Sequence, residues 1–266
     1  MPSVADLTVT PTPPQCHGLT AEQVAQFGRQ GWVAAPGFFS PGEAAQISAW
    51  TTELLARPET PGAHMVYHEA SLSDPDRRLV QRIENFCPFH LAFDRLVHGS
   101  LKTAVEALLG APAVMFKDKI NFKMAGGAGF EPHQDQQAGW SRYAPLFITA
   151  LVCIDPATLE NGCLEMADAP RFAGLIGAEW TPLTPEEMAS FELVSIPAEP
   201  GDVLFFDSYA PHASKPNRTD SARRILYLTY NAQADGDHRA LYFAEKRANF
   251  PPDIEREPGK DYKFRV

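Results

Sequence analysis

Apolar and polar side chains alternate along residues 114–124. Phe116, Asp118, Ile120, Phe122 and Met124 fall on one side of an extended chain, and Lys117, Lys119, Asn121 and Lys123 on the other. A period of two predicts a β-strand. Apolar runs bounded by turn residues predict further strands over 79–86, around residue 133, and over 146–155, 163–166, 193–197, 203–206 and 224–231. Helical signals precede them. Residues 20–30 read as a helix capped by Thr20 and closed by Gly31, and Ser40-Pro41-Gly42-Glu43 has capping-box spacing with proline at the first helical position, opening a helix to about residue 57. Two more are expected over 89–97 and 101–109, the second ending at Gly110, and a short one over 185–190 behind Thr184. Residues 58–78 are polar and turn-rich, a surface loop and candidate lid, and the charged, aromatic stretch after Asn231 is expected to wrap the outside.

These elements give a fold that is mainly β with flanking helices: a helical N-terminal region followed by short strands, as in a double-stranded β-helix or jelly roll. Residues 1–18, rich in Pro and Thr, read as a flexible arm. Residues 19–266 read as a single domain with its jelly-roll core at about 113–232.

Composition narrows the class. An apolar fraction of 44% is ample for a core, and 24 prolines favour a loop-rich β protein over long helices. A net charge of −10 without a basic stripe argues against nucleic acid or an anionic membrane as partner. The four cysteines lack C-x-x-C spacing, and Cys153 and Cys163 lie in apolar runs, as expected of buried thiols in a reducing compartment. Neither a signal peptide nor a transmembrane run is evident, so a cytoplasmic location is expected; the sequence leaves a homodimer open.

The candidate chemistry sits in GFEPHQDQQAGW and FFDSYAPHASKPNRTDSARR. Two imidazoles and a carboxylate on one face of an iron ion form the facial triad of non-haem Fe(II) oxygenases. His133 and Asp135 reach one metal together if their segment is extended, since positions i and i+2 share a side. An H-x-D alone is weak evidence. Its weight comes from the turn Pro200-Gly201-Asp202, which leads into the apolar run 203–206 and then His212, and from Arg223, which opens another strand. A metal triad beside a fixed cation suits a co-substrate with one end on iron and a carboxylate at the other.

The string His212-x-Ser214-x-x-Asn217-x-Thr219-x-x-x-Arg223, downstream of His133-Gln134-Asp135, resembles the phytanoyl-CoA dioxygenase family, as do Asn161-Gly162-Cys163-Leu164 and Pro36-Gly37-Phe38-Phe39. The likeness runs from about Leu19 to about Asn231. It implies a jelly roll in which His133, Asp135 and His212 hold Fe(II), Arg223 pairs with the distal carboxylate of 2-oxoglutarate, and Ser214 is a second contact to it. Related halogenases replace the carboxylate ligand with a small residue, so Asp135 points to hydroxylation or desaturation with O2. Arg223 suits its role because guanidinium binds carboxylate bidentately, whereas Arg224 faces the other side of the strand.

The other candidates come from the strand pattern. If the face carrying Lys119, Asn121 and Lys123 lines the barrel, Lys119 or Asn121 meets 2-oxoglutarate or an anionic substrate; solvent is the bland alternative. Thr149 on a neighbouring strand is a further co-substrate contact, and Gln137, Trp140, Tyr143 and Asn231 are expected substrate contacts. The polar, aromatic surroundings HQDQQAGWSRY suggest a small polar substrate. A closer likeness of HQDQQAGW, PGDVLFFDSYAPHAS, YLTYN and FPPDIEREPGKDYKFRV to bacterial hydroxylases of aminoalkylphosphonates points to a 2-aminoethylphosphonate-type compound. The same chemistry on an amino acid or secondary metabolite is one alternative; a jelly-roll sensor that binds metal and 2-oxoglutarate without turnover is another.

Overall fold

The computed structural model describes residues 18–262, so most of the proposed N-terminal arm lies outside the described residues. Helix α1 (Ala21–Gln30) begins at Thr20, whose hydroxyl accepts from the Gln23 N–H, and ends at Gly31 with φ 77°. A side chain there would meet the Asp207 carboxylate at 3.0 Å, so glycine serves both the turn and the close approach. Helix α2 (Pro41–Ala56) opens with the expected Ser40–Glu43 capping box. Helices α3 (Leu91–Val97) and α4 (Ser100–Leu109) follow, the latter closed by Gly110.

Among the described residues, eleven strands form two antiparallel sheets. They are β1 (Trp32–Ala35), β2 (Met65–Ala70), β3 (Arg78–Glu84), β4 (Ala113–Lys123), β5 (Phe130–His133), β6 (Phe147–Cys153), β7 (Leu164–Asp168), β8 (Glu192–Ile196), β9 (Val203–Asp207), β10 (His212–Ser214) and β11 (Arg223–Ala232). The larger sheet has the order β1-β9-β6-β11-β4-β3-β2 and the smaller β5-β10-β7-β8. Together they make the jelly roll. Three strands of the larger sheet precede residue 113, so the sheet starts earlier than the pattern indicated. Strand β1 is too short to show alternation, and β2 lies inside the stretch read as a loop. A last helix, α5 (Arg239–Asn249), occupies the tail.

The larger sheet is a partition with two buried faces. Its outer face (Ile120, Phe122, Ile148, Phe205, Leu226, Leu228) packs on the helices through Phe27, Ile47, Leu54, Phe93 and Leu101. Each such buried side chain contributes roughly 1.5–3 kcal/mol. Its inner face (Leu151, Leu204, Phe206, Ile225, Tyr227) packs on Leu164 and Met166 of the smaller sheet. Asp118 interrupts the outer apolar row for a reason. Its carboxylate accepts from the backbone N–H groups of Phe86 (2.7 Å) and Cys87 (2.8 Å) and pairs with Arg239 of α5 at 2.6 Å. Residues 185–190 form turns instead of the expected helix; the Thr184–Glu187 cap is present, but Phe191 ends the segment within two turns. Cys87, Cys153 and Cys163 are free and buried, and no described helix is long and apolar enough to cross a membrane.

Candidate active site

His133 ends β5, Gln134 stays extended (φ −106°, ψ 133°), and Asp135 opens a 3-10 turn over Asp135–Ala138. One extended residue beyond the strand is enough to put His133 and Asp135 on the same side. His212 opens β10 and is the register partner of His133, which brings the distant histidine into place. The Nε2 atoms of His133 and His212 lie 3.9 and 4.0 Å from Asp135 Oδ1, and one ligand atom from each residue lies within 4.8 Å of the others.

Both rings are oriented by their backbone. His133 Nδ1 lies 2.7 Å from the Glu131 carbonyl and His212 Nδ1 3.0 Å from the Ala210 carbonyl. Each Nδ1 therefore carries a proton, leaving the Nε2 lone pair for a metal. Burial and the neighbouring His212 push the His133 pKa far down, so the ring is neutral and ready to coordinate. Burial alone would raise the Asp135 pKa, but the two imidazoles with Lys119 and Lys117 outweigh it and keep the carboxylate ionised. Two imidazoles with their Nε2 atoms turned toward one carboxylate, and one side facing a cavity, fit Fe(II) with positions left open.

Arg223 at the start of β11 is fully buried, and its Nε, Nη1 and Nη2 have no hydrogen-bond partner among the described residues. Leaving a guanidinium so is costly unless an anion fills the space. Nearby, Lys123 Nζ donates to Ser214 Oγ at 2.7 Å and also to the Lys215 carbonyl. Burial and the charge of Arg223 push the Lys123 pKa down to about 7. This cationic recess fits the distal carboxylate of 2-oxoglutarate. Arg224 points to the opposite face, where it grips both oxygens of Asp155 at 2.7 and 2.8 Å and reaches Ser48 of α2.

A cavity of about 910 Å³ opens in front of the triad and is lined by His133, Asp135, Lys117, Lys119, Trp140 and Tyr143, with others. The lysine face of β4 thus turns inward, not to solvent. Lys117 Nζ sits 5.3 Å from the Trp140 ring centre, and Lys119 Nζ 4.6 Å from that of Tyr227. Burial and Lys117 lower the Lys119 pKa to about 7. Thr149 shares a small recess with Lys119 and Asp135, its hydroxyl 2.9 Å from that of Thr229. Asn121 is buried on the same row of β4, between Lys119 and Lys123.

Two expected substrate contacts are placed differently. Gln137 is fully buried; its amide donates to the Ala178 (2.7 Å) and Thr181 (2.8 Å) carbonyls and accepts from the Gln134 N–H. The 3-10 turn after Asp135 rotates it away from the cavity. Asn231 is buried with its amide on the Ala232 and Gly236 carbonyls. Strand β11 keeps its register with β6 through Asn231, opposite Phe147, but the Asn231 amide is spent on those two carbonyls at the strand's end and the residue does not line the cavity. The pattern also missed contributors to the wall. Arg82 and Glu84 come from β3, and Tyr242, Lys246, Asp261 and Tyr262 from the tail that was expected merely to wrap the outside. Glu84 accepts from Arg82 Nε at 2.8 Å and from Lys246, so α5 is docked on β3 through buried charges. The adjacent Tyr242-Phe243 was the only hint of an inward-facing tail helix.

A facial triad on a jelly roll, with a buried guanidinium set for a carboxylate, defines an Fe(II)- and 2-oxoglutarate-dependent dioxygenase. The chain belongs to the phytanoyl-CoA dioxygenase (PhyH) family, whose model matches residues 27–225. It is 40% identical to the 2-aminoethylphosphonate dioxygenase of an uncultured bacterium (HF130_AEPn_1), over 91% of this chain and 93% of that protein. It is 37% identical to the methylphosphonate hydroxylase of Gimesia maris, over 87% of this chain and 88% of that one. Among solved structures, EctD from S. alaskensis with 2-oxoglutarate and 5-hydroxyectoine superposes with a TM-score of 0.68 at 23% identity, covering 82% of this chain and 77% of that one. The epimerase SnoN from nogalamycin biosynthesis does so at 0.62 and 24%, covering 79% and 81%. These two show the same fold.

Proposed function

We propose that the protein hydroxylates a small phosphonate, with 2-aminoethylphosphonate the first candidate, at the carbon next to phosphorus. The observation that carries this reading is the pair of cavity lysines. Lys117 and Lys119 flank the triad, and neither has an ion pair or hydrogen bond among the described residues. A doubly charged headgroup satisfies both, and its binding raises the Lys119 pKa from about 7 so that this lysine too is charged. Glu131, Glu245 and Asp261 on the same wall suit an ammonium at the other end. The names of the two relatives at 40% and 37% identity both refer to phosphonates, which supports the same class here.

Fe(II) held by His133, Asp135 and His212, with 2-oxoglutarate, would supply the oxidising chemistry by which O2 hydroxylates the substrate carbon. The chain's own tasks are distinct. Arg223 and Ser214 orient the co-substrate, Lys117 and Lys119 hold the anionic end, and Trp140 and Tyr143 exclude water beside the metal ligands. The test is incubation of Fe(II)-loaded protein with 2-oxoglutarate, O2 and candidate phosphonates, reading succinate and the ³¹P spectrum. Stoichiometric succinate with a new α-hydroxyphosphonate resonance is expected. Succinate release stimulated by amino acids but by no phosphonate would overturn the substrate assignment and leave the chemistry intact.

A further inference from the structure

Trp180 has φ 66°, a left-handed conformation that a bulky residue adopts only when its surroundings force it. Here the forcing contacts come from the segment that carries the metal ligands. The Trp180 N–H donates to the Gln137 carbonyl at 2.8 Å, while the Gln137 side chain holds the carbonyls on either side, at Ala178 and Thr181. Leu183 N–H donates to the Pro132 carbonyl at 2.7 Å. Gln134 holds the same loop further back, through the Gly174 carbonyl (3.0 Å) and the Ile176 N–H (2.8 Å). The indole then lies on Gly139, where a Cβ would come within 2.2 Å of it. Only glycine permits that contact, four residues after Asp135. Trp180 is 41% exposed and, with Pro182, forms part of the cavity wall.

We infer that Gln137 is a positioning residue that latches residues 178–183 to the metal-binding segment, and that Trp180, set in place by this latch, limits the length of the substrate chain the cavity admits. Gln137 and Gly139 act through Trp180. The inference uses the phosphonate reading for its choice of probes; the latch itself is tested without any substrate.

The experiment compares kcat/KM for methylphosphonate, 2-aminoethylphosphonate and 3-aminopropylphosphonate in the wild type, Trp180→Ala, Trp180→Phe and Gln137→Ala, together with hydrogen exchange of each protein. Trp180→Ala should raise the ratio of 3-aminopropyl- to methylphosphonate by about tenfold, the scale of one or more methylenes in a pocket. Trp180→Phe should keep most of the wild-type ratio, with iron content and the KM for 2-oxoglutarate within about twofold of wild type throughout. Gln137→Ala should shift the ratio the same way and speed exchange at Trp180 and Leu183. An unchanged ratio in Trp180→Ala, or a KM for 2-oxoglutarate that moves in parallel, would overturn the size-limiting role. Unchanged exchange in Gln137→Ala would overturn the latch. If Gln137→Ala does not fold, Gln137→Glu, which keeps the acceptor and removes the two donations, carries the exchange arm. A wild type that oxidises none of the three would sink the phosphonate reading, and the exchange data would then decide the latch on their own.

Discussion

Arg223 and Lys123 stand directly opposite each other across β11 and β4, two buried cations on neighbouring strands. Like charges placed so are destabilising unless an anion is bound between or beside them. The arrangement is one that a bound carboxylate would relieve. Arg223→Met should raise the Tm of the ligand-free protein, on the scale of about 2–4 °C per kcal/mol, and raise the KM for 2-oxoglutarate by at least about a hundredfold, corresponding to roughly 3 kcal/mol of charge-assisted binding. Adding 2-oxoglutarate should stabilise the wild type and not the variant. A variant with lower Tm and normal 2-oxoglutarate affinity would show that the guanidinium is structural.

The same pair gives a pH dependence. Burial and Arg223 hold the Lys123 pKa at about 7, so above that pH the free protein carries Lys123 mostly neutral. A carboxylate on Arg223 cancels the repulsion and raises that pKa, so binding takes up a proton. The affinity for 2-oxoglutarate should accordingly fall as pH rises from about 7 toward 9. Calorimetry at pH 8 in buffers of different ionisation enthalpy should show this uptake, and Lys123→Met should remove much of it. Buffer-independent heats in the wild type would refute the coupling.

Substitution of any triad member, His133→Ala, Asp135→Ala or His212→Ala, should abolish turnover and lower bound iron to background in a metal assay. Full iron content with normal activity in one of them would overturn the site. Asp135→Ala has a second consequence, since its carboxylate offsets the nearby charges of Lys117 and Lys119.

Lys117→Met should raise the KM for an anionic substrate about tenfold or more, the value of a charge-assisted contact, while the KM for 2-oxoglutarate changes little because Lys117 lines the large cavity, which Arg223 and Lys123 do not. Equal effects on both KM values would place Lys117 on the co-substrate.

Gly162, in the Asn161-Gly162-Cys163-Leu164 string, has φ 71°, and a Cβ there would lie 2.0 Å from the Lys215 carbonyl oxygen. That carbonyl also accepts from Lys123. Gly162→Ala should cost about 1–3 kcal/mol of stability, measurable by denaturant unfolding, and weaken 2-oxoglutarate by displacing Lys123. Wild-type stability would contradict the close approach.

Much of this protein is written in local pattern. The caps at Thr20 and Ser40, the stop at Gly110 and the alternation of β4 from Lys117 to Lys123 each depend on neighbours within a few residues, and the structure has them as the sequence indicates; a bulge at Phe116 turns that ring from the expected outer row onto Trp140 and Phe147. The triad was legible because its first half is an i, i+2 pair on an extended chain and its second lies just beyond an apolar strand; Arg223 was singled out by its spacing after His212 and the family resemblance, and the structure buries its guanidinium without a hydrogen-bond partner among the described residues. Tertiary structure decided the rest. The register of β5 on β10 puts His212 opposite His133, a long-range pairing that no local period encodes. The turn after Asp135 put the Gln137 amide on the Ala178 and Thr181 carbonyls, and the end of β11 put the Asn231 amide on the Ala232 and Gly236 carbonyls. The far wall comes from β3, α5 and the tail. Those segments meet the metal site only because buried charges such as Glu84, Arg82 and Lys246 find partners across the fold, and side chains that gain their role by long-range pairing leave no periodic trace in the chain.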